Sequence, residues 1–183
     1  MRDLMQHTVS STPICDEHIF QIERDQVRMP NGAIVTRSVV RKVLPGVIIV
    51  PLTEAGEVIL VRQWRYAVGQ ALIELPAGGM EVDEKPEDAV RRELQEEAGY
   101  FPNRVQFLAK CYPSPGFLDE VYLFYMADQL IESHLPGDDD EDIEILTMPI
   151  PEALANPVVQ LDLKTMMGLL YLQAQLSQHT ESV

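Results

Sequence analysis

Cysteine, histidine, tryptophan and positive charge are all scarce in this chain. Two cysteines, Cys15 and Cys111, lie far apart, which excludes a disulfide framework and leaves no thiolate spacing for a metal. The four histidines (His7, His18, His134, His179) are scattered, so a histidine-rich zinc site is not expected. Lysine and arginine number 14 against 29 acidic residues, a formal net charge of −15. Non-specific binding to nucleic acid depends on neutralising phosphates, and that balance argues against it. A small anionic substrate is not, because a bound cation changes the local field. No apolar run approaches the roughly 20 residues of a membrane span, and Met1-Arg2-Asp3-Leu4 lacks the apolar stretch of a signal peptide. The expectation is a cytoplasmic protein without membrane or nucleic-acid partners.

What is present is a main domain, residues 43–183, with an N-terminal tail and β-hairpin at residues 1–42. The 183 residues suffice for a substantial core. The polar stretch from Met1 to about Ile14 reads as loosely ordered. From His18 to Lys42 two extended runs flank Met29-Pro30-Asn31-Gly32, a strong turn signal. A hairpin of that size buries little by itself and needs a partner surface. Gly46–Leu52 reads as a buried strand, followed by a turn at Thr53–Gly56 and a second strand, Glu57–Gln63. Further strands are expected at 105–111, 120–127 and 143–148, and a long helix at 161–175, from apolar alternation and helical spacing respectively.

The most informative stretch runs from Gly78 to Tyr100. Pro86 suits the first position of a helix, Glu87 and Asp88 favour its positive end, and Gly99 suits the residue just past its last turn. The spacing therefore predicts a helix over 86–98. On it Val90, Leu94 and Ala98 share a core-facing stripe. Glu93, Glu96 and Glu97 crowd one flank beside that stripe, where like charges repel in a bare helix. A hard divalent cation, Mg2+ or Mn2+, would reverse that effect, since it prefers carboxylate oxygen and leaves open positions for phosphate. Arg92 is expected to turn away from that flank and to pair with Glu84, holding the preceding loop.

Reduced to its spacing, the stretch is G-x5-E-x7-R-E-U-x-E-E-x-G-U, with U a bulky apolar residue. Gly78, Glu84, Arg92, Glu93, Leu94, Glu96, Glu97, Gly99 and Tyr100 fill every fixed position. At average residue frequencies its seven fully specified positions would match by chance roughly once in a million chains of this length. The chain thus resembles the Nudix hydrolases. That resemblance implies an α/β fold, an α/β/α sandwich with a mixed sheet, and metal-dependent cleavage of a diphosphate linked to another group. Glu74-Leu75-Pro76-Ala77-Gly78, the segment Tyr112–Phe117 with Pro115 fifteen residues after Tyr100, and the acidic run Asp138–Asp142 before Ile143 resemble the ADP-ribose pyrophosphatase branch. So does the N-terminal hairpin, whose strands in that branch exchange between the subunits of a homodimer.

The resemblance implies roles for particular residues. Glu93 and Glu97 are the expected principal metal ligands, with Glu96 assisting and the backbone carbonyl of Ala77 completing the set. Arg65 is the expected contact to pyrophosphate or nucleotide. Ser114 and Glu120 are candidates for the terminal ribose, although Ser114 suits a turn equally well. Trp64 reads better as a strand aromatic in the core or at a dimer contact than as a substrate contact. Arg41, Phe20 or Arg37 of a second subunit are candidates to complete the nucleotide pocket. The branch usually has an acidic residue near Ser38 and a glutamate as base in the acidic loop. Here Asp139 holds the matching position and Glu141 lies two residues on, so either can be the base.

The implied reaction is Mg2+-dependent hydrolysis of ADP-ribose or a related nucleoside diphosphate sugar, giving AMP and ribose 5-phosphate. GDP-mannose or another sugar nucleotide is the alternative substrate. A non-catalytic ADP-ribose sensor is the alternative function, disfavoured by the intact carboxylates.

Overall fold

The computed structural model describes residues 3–17, 19–42, 44–137 and 142–180. The chain forms two compact units, Met1–Pro45 with Tyr112–Val121, and Gly46–Cys111 with Tyr122–Val183.

The first unit is an antiparallel sheet in the order β1 (His7–Asp16), β2 (Phe20–Arg28), β3 (Ile34–Lys42). The β2–β3 turn falls where Pro-Asn-Gly announced it. Gly32 takes φ +85°, a left-handed value open to glycine without steric cost, and its N–H closes the turn on Met29 O at 2.9 Å. β1 overturns the expectation of a loose N-terminus. It pairs with β2 from His7 opposite Arg28 to Asp16 opposite Gln21. Nine of its ten residues are exposed and the tenth half-buried, so backbone ladder bonds and not burial hold it, and hydropathy has no signal to offer. Tyr112–Val121 runs beside β3: Val40 N–H donates to Phe117 O at 2.7 Å, and Lys42 N–H to Asp119 Oδ1 at 2.8 Å.

Among the described residues the second unit contains two sheets. In one, β4 (Gly46–Pro51) lies parallel to β9 (Tyr122–Glu132) and antiparallel to β7 (Ala77–Gly79), and β9 pairs with β8 (Tyr100–Cys111). The other has the order β10 (Ile143–Pro149), β5 (Glu57–Arg65), β6 (Gln70–Glu74). Among the described residues three α-helices complete the unit: α1 (Pro86–Glu97), α2 (Ile150–Ala155) and α3 (Leu163–Thr180).

β4 shows why the sheet needs helices on both faces. All six of its residues are buried. Val47 and Ile49 pack with Val90 and Leu94 of α1, while Ile48 and Val50 pack with Leu169 and Leu172 of α3. Alternate side chains leave a strand on opposite faces, so an unbroken apolar run marks a strand covered twice. β9 divides in the same way, Leu123 and Tyr125 toward α1, Phe124 and Met126 toward α3. Each fully buried Val, Leu or Phe contributes about 1.5–3 kcal/mol. This is the α/β/α arrangement of a mixed sheet that the sequence led us to expect. α2 was not anticipated. With six residues and two prolines at its start, Pro149 as N-cap and Pro151 inside, it is too short to show a helical period. Among the described residues no helix is long and apolar enough to cross a membrane.

Candidate active site

α1 carries the carboxylates. It starts at Pro86, with Glu87 and Asp88 in its first turn, and ends where Ala98 N–H bonds Leu94 O and Gly99 takes φ +74°. Val90 and Leu94 are fully buried and Ala98 nearly so. That packing fixes the rotation of the helix and brings Glu93 and Glu97 to the margin of the core, at 8% and 6% exposure. Glu96 is half-buried on the same flank.

Two adjacent backbone positions receive these side chains. Ala77 N–H donates to Glu97 Oε2 at 2.9 Å. A Cβ on Gly78 would stand 2.0 Å from the carboxyl carbon of Glu93, so only glycine leaves room for that carboxylate against the backbone.

Arg92 lies at the centre of the charge network. Its Nε and Nη2 donate to the two Glu84 oxygens at 2.9 and 3.0 Å, and Nη2 also donates to Gly79 O at 2.9 Å. The loop-holding role foreseen for the Arg92–Glu84 pair is therefore present. The expectation that Arg92 turns away from the metal flank is wrong. Its Nη1 donates to Glu93 Oε1 at 2.7 Å and to Glu96 Oε2 at 3.0 Å. A guanidinium has five donors in a planar fork, so it serves the loop and the flank at once. Its bonds to Glu84 hold the Arg92 proton more firmly than usual, and reciprocally hold the Glu84 carboxyl below the usual range against an opposing push from burial.

The donor chemistry suits a hard divalent cation: three carboxylates on one flank, two of them nearly buried, with a glycine cradle behind Glu93. Among the described residues, no three side chains of His, Cys, Asp or Glu converge as a metal-binding group. Glu93 and Glu96 are bonded to Arg92. Ala77 is tied to the set through its N–H.

Beside Glu96 and Glu97 lies a cavity of about 300 Å³, lined also by Gly99, His134, Ile143 and Ile145. His134 escaped the sequence reading because no spacing links it to the helix. Its ring packs so closely on Gly99 that a Cβ there would stand 2.0 Å from it.

Arg65 is anchored. It forms a bidentate pair with Glu74 at 2.8 and 2.7 Å, and Glu74 is 1% exposed. Lys164 reaches the same carboxylate. Burial pushes the Glu74 pKa up, but Arg65 and Lys164 together outweigh it and hold the carboxyl below the usual range. Trp64 is not in the core; it is 63% exposed, next but one to the still more exposed Tyr66.

The remaining candidates belong to the first unit. Arg41 donates to Glu23 Oε2 at 2.9 Å, Asp25 Oδ2 at 3.1 Å and Asp119 Oδ2 at 3.3 Å. Ser114 has the turn role for its backbone: its carbonyl accepts from Phe117 N–H and Leu118 N–H. Glu120 is half-buried near the end of the same segment. Asp139 and Glu141 lie outside the described residues.

Residues 42–168 match the model of the NUDIX domain. The chain belongs to the Nudix family. Residues 7–40 match the nucleoside diphosphate sugar hydrolase N-terminal domain, so both parts of the chain have a counterpart, and this Nudix protein is an enzyme, a hydrolase. It is 31% identical over 178 residues to an ADP-ribose pyrophosphatase of Bacillus subtilis, covering 94% of this chain and 95% of that one. It is 41% identical over 150 residues to an ADP-ribose pyrophosphatase of Mycobacterium tuberculosis, covering 80% and 72%. The solved structure of an ADP compounds hydrolase superposes with a TM-score of 0.88 at 20% identity, over 98% of each chain; at that identity the likeness concerns the fold.

Proposed function

We propose that this Nudix hydrolase cleaves the pyrophosphate bond of ADP-ribose or a closely related nucleoside diphosphate sugar, with AMP and ribose 5-phosphate as the products from ADP-ribose. The observation that carries the reading is the intact carboxylate flank of α1, with Glu93 and Glu97 seated against Gly78 and Ala77. The choice of substrate is supported by the near full-length likeness to an ADP-ribose pyrophosphatase and by the N-terminal match.

In this reading Glu93, Glu96, Glu97 and the carbonyl of Ala77 hold a divalent cation, Mg2+ or Mn2+. Bound there, the cation neutralises diphosphate charge and acidifies a water. The chain does the rest. Arg92 braces the loop through Glu84 and Gly79 O and offsets the charge of Glu93 and Glu96, and Gly78 keeps the Glu93 carboxylate against the backbone. Arg65 supplies a fixed positive charge for the substrate, Ser114 and Glu120 contact its sugar, and Glu141 or Asp139 removes the proton from the attacking water.

A turnover screen tests this, with ADP-ribose, ADP-glucose, GDP-mannose, NADH and nucleoside triphosphates, each with Mg2+ and Mn2+. The highest kcat/KM is expected for ADP-ribose. Tenfold better turnover of GDP-mannose or a triphosphate would refute the substrate assignment. In the same assay Glu141→Gln or Asp139→Asn should lower kcat by about 10²–10⁴-fold, the usual cost of a lost general base. Near-normal kcat in both would remove the acidic run from the mechanism.

We also propose a homodimer joined through residues 18–42, in which Arg41 of the second subunit completes the nucleotide site. The sheet that holds those residues supports it: its outer strand β1 lies at the edge with no further strand beside it among the described residues, and edges invite pairing. Exposed Trp64, Tyr66 and Val68 on the second unit fit a buried contact better than open solvent. Light scattering should give about twice the mass of the 20.7 kDa chain. A monomer at micromolar concentration would overturn the dimer.

A further inference from the structure

We propose that Thr165, on the first turn of α3, is a positioning residue for the carboxylate of Glu97, acting through the backbone of Leu75–Ala77. The inference rests on the reading of Glu97 as a ligand of a divalent cation.

The segment from Glu74 to Gly78 is gripped at every residue. The Glu74 side chain is held by Arg65 and Lys164. Leu75 N–H donates to Thr165 Oγ1 at 2.8 Å. Pro76 O accepts from Ile49 N–H at 2.9 Å. Ala77 N–H donates to Glu97 Oε2 at 2.9 Å, and Gly78 abuts Glu93. The last two contacts set where the carboxylates sit. The first three set where the segment sits.

Among those anchors Thr165 has the most specific chemistry. It is fully buried, and its hydroxyl works in both directions. It accepts from Leu75 N–H and donates to Asp162 Oδ2 at 2.5 Å, while Asp162 Oδ2 also accepts Thr165 N–H at 3.0 Å and Lys164 Nζ at 3.0 Å. The helix cap and the strand anchor are therefore a single relay. Charge-assisted bonds of this kind are shorter and stronger than neutral ones, so the acceptor presented to Leu75 has a fixed direction. Pro76 then passes that direction on. Its φ is locked and it has no N–H of its own, so Leu75 N–H and Ala77 N–H are the donors on either side of a stiff link. Close packing reinforces the relay one turn further along α3: a Cβ on Gly168 would stand 2.6 Å from Leu75 Cδ1. A donor that orients a ligating carboxylate tunes metal affinity, and loss of such an outer partner typically costs about 10–100-fold.

The test uses the full chain and Mn2+ alone, without substrate, following free Mn2+ by electron paramagnetic resonance. Thr165→Val keeps the shape and removes the hydroxyl; Thr165→Ser keeps the hydroxyl and removes the methyl. Both should lower the Tm. Thr165→Val should weaken Mn2+ binding about tenfold, the low end for an outer partner, while Thr165→Ser should bind within about twofold of the parent. A role confined to stability would leave Mn2+ affinity the same in all three proteins, and that result would overturn the proposal. Should Thr165→Val fail to fold, Thr165→Cys carries the comparison, because a thiol has the shape of serine but is a weak acceptor. It should bind Mn2+ several-fold less tightly than Thr165→Ser, and equal binding overturns the relay. Glu97→Gln is the reference. If it binds Mn2+ as the parent does, the metal reading falls and the relay with it. If it does not, and Thr165→Val binds as the parent, only the relay falls.

Discussion

Glu97→Gln should abolish the Mg2+-dependent rise in Tm and lower kcat at least about a hundredfold, more than the loss of an outer metal partner usually costs. The metal-free fold should stay within about 1 kcal/mol of the parent, a margin on the scale of one net hydrogen bond. The two halves of this expectation have different causes. Glutamine keeps the length of the side chain and an oxygen able to accept the Ala77 N–H, so the 2.9 Å contact survives. What disappears is the negative charge. In the metal-free protein that charge sits on the flank of Glu93 and Glu96, where like charges cost a few tenths of a kcal/mol per pair, so its removal is neutral or slightly favourable. With the metal the balance reverses. A ligand that binds only the native state at a hundredfold excess over its Kd stabilises by about 2.7 kcal/mol, and that increment should vanish. Thermal melts with and without Mg2+, paired with turnover, decide it. A variant that keeps both its Mg2+ increment and its kcat would show that α1 is merely an acidic helix.

Arg92→Ala should be the most destabilising single change at the site, by about 2–3 kcal/mol at neutral pH, somewhat less than breaking a fully buried pair because the guanidinium is 22% exposed. It removes the counter-charge from Glu84, Glu93 and Glu96 together and the bond to Gly79 O. Lysine should not rescue it, since one ammonium cannot span a fork of that width. The pH dependence has a definite sign. Arg92 holds the folded-state pKa of Glu84 below its ordinary value of 4.5. The stability from this pair is therefore fully present above that value and is lost as the pH falls through the lowered folded-state value. Urea unfolding should show the parent weakening on acidification below about pH 4.5. The gap between parent and Arg92→Ala should narrow over the same interval. Mg2+ should recover part of the loss in the variant, because a cation at Glu93 and Glu96 relieves the repulsion Arg92 had balanced. A loss under about 0.5 kcal/mol, the size of an ordinary surface substitution, would mean that the network does not hold the loop.

Local patterns made much of this molecule readable. Strand β4 and the first half of β9 are continuous apolar sequence because each has both faces covered, one by α1 and one by α3. Pro86, the acidic first turn and Gly99 marked α1 at both ends, since capping is a property of a few adjacent residues. Glu93, Glu96 and Glu97 share a flank by helical geometry alone, and the Arg92–Glu84 pair followed from a guanidinium and a carboxylate at a fixed offset. Where stability comes from ladder bonds, as in β1, or from six residues started by prolines, as in α2, no hydrophobic period exists to be read.

The sequence by itself determined the family, the helix with its three carboxylates, the apolar strands β4, β5 and β9 and the turn at Gly32, because each rests on residues close together along the chain. Only the tertiary structure decided which groups those carboxylates meet. Arg92 meets Glu93 and Glu96 along its own helix, and the loop from Gly79 folds back to add Glu84 and Gly79 O to the same guanidinium. Arg65 is fixed by Glu74 across the paired strands β5 and β6, and His134 rests on Gly99 because residues 35 positions apart pass close together in space. Thr165 lies 90 positions from Leu75, and no periodicity reports a hydroxyl that meets a backbone N–H across such a separation. Pairings of that kind depend on how a helix packs against a sheet edge, which is set by the whole core and by no segment of it.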